Sequence, residues 1–305
     1  MLCILYVNAV AMLLGVAGVL AERALPAAFS RRWVWCIIIP VSVVLPGYYR
    51  GHHNWSVVEA LQQLAMRAAT YDTTINRVWL TVSAMLLLWG LANAWRVSRV
   101  IRLSRRERGD NAGRAIVDGI PIVVTDLIGP ATVGLWRSHL LVPRWVLAMP
   151  RAQRQYVLRH EEEHRRAHDA QLLFVASLTI ILMPWNLAMW WQLRRLCLAV
   201  EMDCDNRVVN GLGNAPAYGE LLLKVAEASS RGPRLQPALL GGMGSLEHRL
   251  TVLLAPTPLR QVQRFLLPAT ILALLFVVAV MPHPVLGRGP HAHAAMSPEV
   301  ILPSR

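Results

Sequence analysis

Charge is in short supply in this chain: charged residues fill 16% of 305 positions, and acidic ones number 18 against 31 basic. A soluble domain needs a more polar surface than that. Cysteine is rarer still. Cys3, Cys36, Cys197 and Cys204 include no C-x-x-C pair, so no zinc-ribbon or redox motif is present and all four read as unpaired thiols. There is no internal repeat, which removes solenoids and the repeated halves of transporters, and the apolar stretches hold few polar residues for a solute path. The arginines at 96, 99, 102, 105, 106 and 108 have no interleaved aromatics and no nucleic-acid fold signature around them. They abut an apolar stretch, so they are read as lipid-headgroup and topogenic charges, and no direct nucleic-acid partner is expected.

Apolar sequence is abundant instead: hydrophobic residues reach 55% and the mean hydropathy is +0.40. Four stretches are apolar enough to suggest bilayer crossings, namely Leu2 to Ala21, Trp33 to Tyr49, Val78 to Val97 and Phe265 to Met281. The second is short and contains Pro40 and Pro46. No basic residue precedes the first stretch, while Arg23, Arg31 and Arg32 follow it, which favours a retained anchor with its N-terminus outside over a cleaved signal peptide. By the positive-inside rule the arginine cluster at 96–108 lies in the cytoplasm. The segment that directly follows the cluster, up to residue 170, then faces the same side.

The part between the third and fourth stretches carries the chemistry. Ala115 to Val117 and Ile122 to Val124 are short β-type runs around Asp118-Gly119, a hairpin signal, and a second strand pair is expected around Leu135 and Leu140 to Val142. Pro150 then starts a helix expected to run from Arg151 to Ala170 in about five turns. It carries His160-Glu161-Glu162-Glu163-His164. Histidines four apart project from one helix face and can close on one metal ion, with Glu161 beside the water that the metal would bind. A hydrolytic zinc site takes three protein ligands and leaves a position for water. Glu201, on a helix expected over Leu196 to Val209, is the chosen third ligand. Tyr218 to Ser229 and Leu246 to Leu254 complete the expected helices. Glu162 and Glu163 can pair with Arg166 and Arg159 at i, i+4 spacing, which suggests a solvated face. His168, His52-His53 and His291-x-His293 are weak candidates, at most adventitious metal binders.

Several features recur in one order: Gly129-Pro130-x-Thr132-x-Gly134, Leu141-Val142-Pro143, His160-Glu161-x-x-His164 with Asp169, Pro184 after an apolar stretch, Glu201-x-x-Cys204-Asp205, Tyr218-Gly219-x-x-Leu222 and Arg249. In this the chain resembles the M56 peptidases, the membrane metallopeptidases typified by the β-lactam-sensing BlaR and MecR proteins, over roughly residues 115 to 255. The resemblance implies a gluzincin-type site: His160, His164 and Glu201 bind Zn2+, and Glu161 is the catalytic general base. Asp205, one turn beyond Glu201, and Asp169 are candidates to hold ligand imidazoles from behind, and Tyr218 and Arg249 to stabilise an oxyanion. Glu162 and Glu163 depart from the family, which more often has apolar or small residues there.

Gln171 to Leu193 is apolar and long enough to cross once, yet a single crossing would part Glu201 from the histidines. Twenty-three residues are too few for two crossings, so a re-entrant hairpin turning at Pro184-Trp185-Asn186 is expected, with Trp185, Trp190 and Trp191 at the interface. The alternative is a buried helix pair in a soluble domain.

The fold class expected is therefore an α+β membrane protein with about four transmembrane helices and a cytoplasmic gluzincin-like zinc peptidase domain, containing a small antiparallel sheet and the re-entrant hairpin. Its divisions are a membrane domain at 1–97, the peptidase domain at 98–264 with the hairpin at 171–193, a fourth transmembrane helix at 265–282 and a short extracytoplasmic tail at 283–305. About 24 residues follow the fourth span, so a penicillin-binding sensor domain is not expected and the trigger would come from another protein or the external loop Arg50 to Arg77. The expected function is a zinc endopeptidase in a bacterial inner membrane, acting in regulatory proteolysis and signal transduction. Family analogy suggests self-cleavage or cleavage of a cytoplasmic transcriptional repressor. Expected partners are a protein or peptide substrate and membrane lipid, and a homodimer is compatible with all of this. The alternative is a catalytically inactive signalling scaffold with a structural zinc. Topology reporters fused at residues 150 and 215 should fall on the same side of the membrane; opposite sides would exclude both the shared site and the hairpin.

Overall fold

The structure is a computed structural model, and it describes residues 2–25, 29–49, 72–106, 115–125, 129–230, 243–254 and 261–280. His52, His53, His291, His293, most of the external loop and the tail at 283–305 lie outside the described residues. The four apolar stretches are all helical: α1 (Leu2–Ala24), α2 (Arg32–Tyr49), α3 (Asp72–Arg106) and, last in the chain, α10 (Gln261–Val280). Two of them are long and apolar enough to cross a membrane, over Ile4–Ala24 and Thr73–Leu103, whereas the apolar parts of α2 and α10 are shorter, Arg32–Pro46 and Leu267–Ala279. Among the described residues α3 is the least covered, with Leu80, Met85, Leu88, Trp89, Leu91 and Trp95 all exposed. Cys36, Cys197 and Cys204 are free thiols.

Four short strands follow: β1 (Ala115–Val117), β2 (Ile120–Val124), β3 (Ala131–Val133) and β4 (His139–Val142). The β1–β2 hairpin forms at Asp118-Gly119, both at positive φ (48° and 81°), as a two-residue turn requires. The sheet is nevertheless mixed, in the order β1-β2-β4-β3, and this corrects the expectation of an antiparallel one. β2 and β4 run parallel, Val123 opposite Leu141, because both are buried on two faces. Ile122, Val124, Leu140 and Val142 pack towards the metal-site helix, while Val123 and Leu141 meet Ile101 of α3. Double coverage is the usual setting of parallel pairing.

The second antiparallel pair is β3 with β4, Ala131 opposite Leu141, so its first strand lies before Leu135 and not around it. Gly134 decides where it ends. Its φ is +108°, and a Cβ there would sit 2.3 Å from the carbonyl oxygen of Arg137, so only glycine can make this turn without strain.

A single turn, α4 (Arg144–Leu147), leads into α5 (Arg151–Arg166), α6 (Asp169–Leu182), α7 (Leu187–Leu212), α8 (Ala215–Ser230) and α9 (Met243–Leu254). The expected helix over Arg151 to Ala170 is thus two helices. His168 adopts a left-handed conformation, φ 56° and ψ 33°, and redirects the chain so that Asp169 opens α6. α7 is also longer than expected, since Asn186 caps it by accepting from the Met189 N–H at 3.2 Å.

Met183 to Asn186 turn the chain back between α6 and α7, as expected for a hairpin at Pro184-Trp185-Asn186. The hairpin shares one core with the first two helices: Ala176, Ile180, Ala188, Met189 and Leu193 pack with Ala11, Trp35 and Ile39. Polar pins hold it there. The side chain of Gln192 donates to the Ala11 carbonyl at 2.7 Å and to Ser42 at 3.0 Å, and Asn8 accepts from the Leu187 N–H at 3.1 Å. Val278 of α10 packs with Val10 and Leu14 on another face of α1.

Gly134→Ala should destabilise the protein by about 1–3 kcal/mol, read as a lower unfolding midpoint in detergent. Gly119→Ala, whose added Cβ would meet nothing within 4 Å, should cost less than Gly134→Ala.

Candidate metal centre

Two helices bring the three candidate ligands together. His160 and His164 lie one turn apart on α5, and Glu201 stands on α7, which packs against α5. The two Nε2 atoms are 3.1 Å apart, and the Glu201 carboxylate faces both, with Oε2 3.6 Å from His160 Nε2 and Oε1 3.7 Å from His164 Nε2. Two ligands bound at zinc–nitrogen lengths in a tetrahedron lie roughly 3.3 Å apart. These spacings suit that geometry.

The other ring nitrogens explain why both Nε2 atoms point inward. His164 Nδ1 is 2.8 Å from Asp169 Oδ2; an ionised carboxylate only accepts, so the proton sits on Nδ1. His160 Nδ1 is 2.9 Å from the Tyr218 hydroxyl, which donates its own hydrogen to Asp205 Oδ1 at 2.7 Å. The hydroxyl therefore accepts from His160 Nδ1. Both tautomers are assigned from these partners, and both leave an Nε2 lone pair facing the other. Two lone pairs and a carboxylate converging on one point repel unless a proton or a metal cation lies between them, and the donor set fits a zinc ion.

Electrostatics agree. Burial pushes His160 down, yet Cys204, which the two histidines draw towards its thiolate against the effect of its own burial, and Glu201 outweigh it and carry the imidazole up to about 10. His164 is likewise lowered by burial but lifted well above its usual range, chiefly by Glu201 and Asp169. Burial raises Glu201, while Arg249 and the two histidines pull it far below the usual carboxylate range. The pocket favours positive charge.

Asp205, 2% exposed, is held by Arg249 through Nε to Oδ2 at 2.8 Å and Nη2 to Oδ1 at 2.7 Å, while Arg249 Nη1 reaches Glu201 Oε2 at 2.9 Å. Arg249 thus sets the third ligand as well as the support of the first. Tyr218 and Arg249, the candidates for stabilising an oxyanion, are both engaged in pairing here. The Tyr218 hydrogen is spent on Asp205, and burial together with Asp205 pushes its phenol far up; the Arg249 donors are spent on Glu201 and Asp205.

Asp169 is no surface aspartate. It is 2% exposed, with Arg32 at 2.8 Å and Arg207 at 3.7 Å in addition to His164. Glu162 and Glu163 are corrected too. They form the expected pairs with Arg166 and Arg159, at 2.9 and 2.8 Å, but both side chains are buried, because Arg165 adds a second partner to Glu162 and Arg207 of α7 one to Glu163. Four arginines replace solvent. His168 is exposed at the α5–α6 junction and stands outside the cluster.

Glu161 is buried, and Thr132 of edge strand β3 meets it twice, its hydroxyl 2.6 Å from the Glu161 carbonyl and 3.1 Å from Oε2. Cys204 was read only as a thiol. It proves to line the cluster, and His160, His164 and Cys204 offer ligand atoms within 4.8 Å of one another. Its sulfur, however, lies 3.3 Å from His160 Nδ1 and 3.3 Å from the His160 carbonyl. That is the nitrogen already bound to Tyr218, so Glu201, which faces both Nε2 atoms, is the better third donor. The i, i+3 spacing from Glu201 was the sequence signal for Cys204; nothing in the sequence pointed to Arg32 or Arg207.

The family model described as BlaR1 peptidase M56 matches residues 51–253, about two-thirds of the chain. No curated protein matches it. Replacing Arg249 by Met strands two carboxylates and should cost about 3–5 kcal/mol, measured by unfolding in detergent, with Arg249→Lys intermediate because one ammonium cannot serve both.

Proposed function

The chain belongs to the M56 peptidase family, and from that premise we propose that it is a membrane-embedded, zinc-dependent endopeptidase acting on the cytoplasmic side in regulatory proteolysis. The observation that carries this is the convergence of His160 Nε2, His164 Nε2 and the Glu201 carboxylate, with Glu161 tied to an edge strand beside them.

His160, His164 and Glu201 hold the metal, and Asp169, Tyr218, Asp205 and Arg249 fix those three. A zinc ion held there would supply Lewis acidity for hydrolysis. Glu161 is placed to act as the general base, taking a proton from the attacking water and returning it to the departing amine of the cleaved peptide. Thr132 anchors the helix at Glu161 to β3 and orients the carboxylate. Among the described residues β3 pairs with β4 alone, so its other edge is where an extended substrate would add as a further strand. A protein or peptide is the substrate class, and self-cleavage or cleavage of a repressor is the form that family analogy favours.

The membrane placement rests on the apolar helices and on the hairpin. α6 has 14 residues, and Leu187 to Glu201 of α7 is of similar length, so each arm rises about 21 Å. That falls short of a bilayer core of about 30 Å. Phe174, Val175, Leu178, Leu182 and Leu187 are exposed along it, as a lipid-facing surface would be, while its inner face packs on α1 and α2. The division into a membrane domain at 1–97, a peptidase domain at 98–264, a fourth span at 265–282 and an extracytoplasmic tail is part of the same proposal. The cytoplasmic side follows from the arginines after the third span.

Full-length protein in detergent should contain one zinc per chain, and Glu161→Ala should keep it while peptide or self-cleavage falls by about 10²–10⁴-fold. Zinc retained with unchanged processing in both would leave the inactive scaffold as the answer.

A further inference from the structure

The junction between α1 and α2 meets the metal-bearing helices at two buried carboxylates, neither of which binds the metal in the proposed site. Asp203 lies two residues past Glu201 on α7. Its oxygens accept from the backbone N–H of Arg31 at 3.0 Å and of Arg32 at 3.1 Å, and from the Ser30 hydroxyl. It thereby caps the first turn of α2 from another helix. Asp169 is the second contact, and its two oxygens are divided. Oδ1 takes Arg32 Nη1 at 2.8 Å, and Oδ2 takes His164 Nδ1 at 2.8 Å. Arg32 Nη1 also reaches the Ala167 carbonyl at 3.5 Å, beside the left-handed His168.

From this we infer that Arg32 is a positioning residue of the metal centre, and that docking of the α1–α2 hairpin and metal binding stabilise one another. The inference rests on the metal site proposed above. An aspartate with one oxygen fixed by a guanidinium cannot turn about its carboxylate axis, so Arg32 sets the direction from which Asp169 grips His164. Asp203 sets the register, because it holds the backbone of Arg32 to the same turn of α7 that carries Glu201. Without Arg32, the arginine left on Asp169 among the described residues is Arg207, at 3.7 Å and on the oxygen that already serves His164.

α2 is one of the apolar helices, and Trp35 and Ile39 seat it against the α6–α7 hairpin. A shift of α2 by a fraction of a turn would therefore break the 2.8 Å contact and release the ligand imidazole. Coupling of this kind is reciprocal: whatever the hairpin lends to metal affinity, the metal returns to hairpin docking.

The test uses the full chain in detergent and competes zinc against a chromophoric chelator. Arg32→Met should weaken zinc binding by about tenfold and shift the absorption bands of the cobalt-loaded protein, Arg32→Lys should recover part of the affinity, and Arg31→Gln should bind like the wild type. Arg32→Met combined with Asp169→Asn should bind no more weakly than Asp169→Asn alone. Wild-type affinity and spectrum in Arg32→Met, or additive losses in the double variant, would overturn the inference. A measurement on the unmutated chain covers the case in which a variant does not fold: removing zinc should speed backbone hydrogen exchange over residues 30–36, and equal exchange with and without zinc overturns the coupling. A wild-type chain that binds no zinc defeats the metal site itself, whereas one that binds it with Arg32→Met unaltered defeats this inference alone.

Discussion

Two imidazole Nε2 atoms do not face each other 3.1 Å apart unless something holds them there. Here the holding is done from behind, where Asp169 fixes one Nδ1 and Tyr218, backed by Asp205, fixes the other. The rest of the molecule can be traced outward from this constraint. Asp169 must open a new helix to reach His164, so the chain breaks at His168. Asp205 needs a counter-charge in the interior, so α9 folds back to bring Arg249. Glu201 must share a side with the histidines, so the apolar segment between them turns round.

The cost of this arrangement is a crowd of buried carboxylates. Glu161, Glu162, Glu163, Asp169, Asp203 and Asp205 are all buried, in a chain with only 18 acidic residues. Buried charges persist only when paired or hydrogen-bonded, and arginines supply the pairing of Glu162, Glu163, Asp169 and Asp205 from across the fold: Arg32 of α2, Arg159, Arg165 and Arg166 of α5, Arg207 of α7 and Arg249 of α9. Glu161 meets Thr132, and Asp203 takes Ser30 and two backbone N–H groups. A guanidinium offers several donors in a plane and can bridge two carboxylates, as Arg249 does with Glu201 and Asp205, where a lysine could satisfy one. The basic excess of the sequence, read first as topogenic, is in part this internal compensation.

The sheet is small but placed to matter. β2 and β4 form its buried spine, and β3 at the edge touches Glu161 through Thr132. Gly134 ends β3 where the chain must turn towards Arg137, which accounts for the glycine in Gly129-Pro130-x-Thr132-x-Gly134.

Local pattern was enough for much of this. The i, i+4 histidines, the Asp118-Gly119 hairpin, the four apolar helices and the turn at Pro184-Trp185-Asn186 are all encoded within a few residues, because helical periodicity and turn chemistry act at that range. Chemistry asked for a third ligand from a separate helix, and Glu201, the residue chosen and the one the resemblance implies, faces both histidines. What only the tertiary structure decided were the partners at long sequence distance. Arg32 lies 137 positions from Asp169, and Arg249 lies 44 from Asp205. The parallel register of β2 with β4 depends on α3 covering their far face, and Glu163 is buried because Arg207 arrives from another helix. No short-range rule reports such encounters. They are set by which helices pack together, and a buried charge takes its partner from whatever that packing brings within reach.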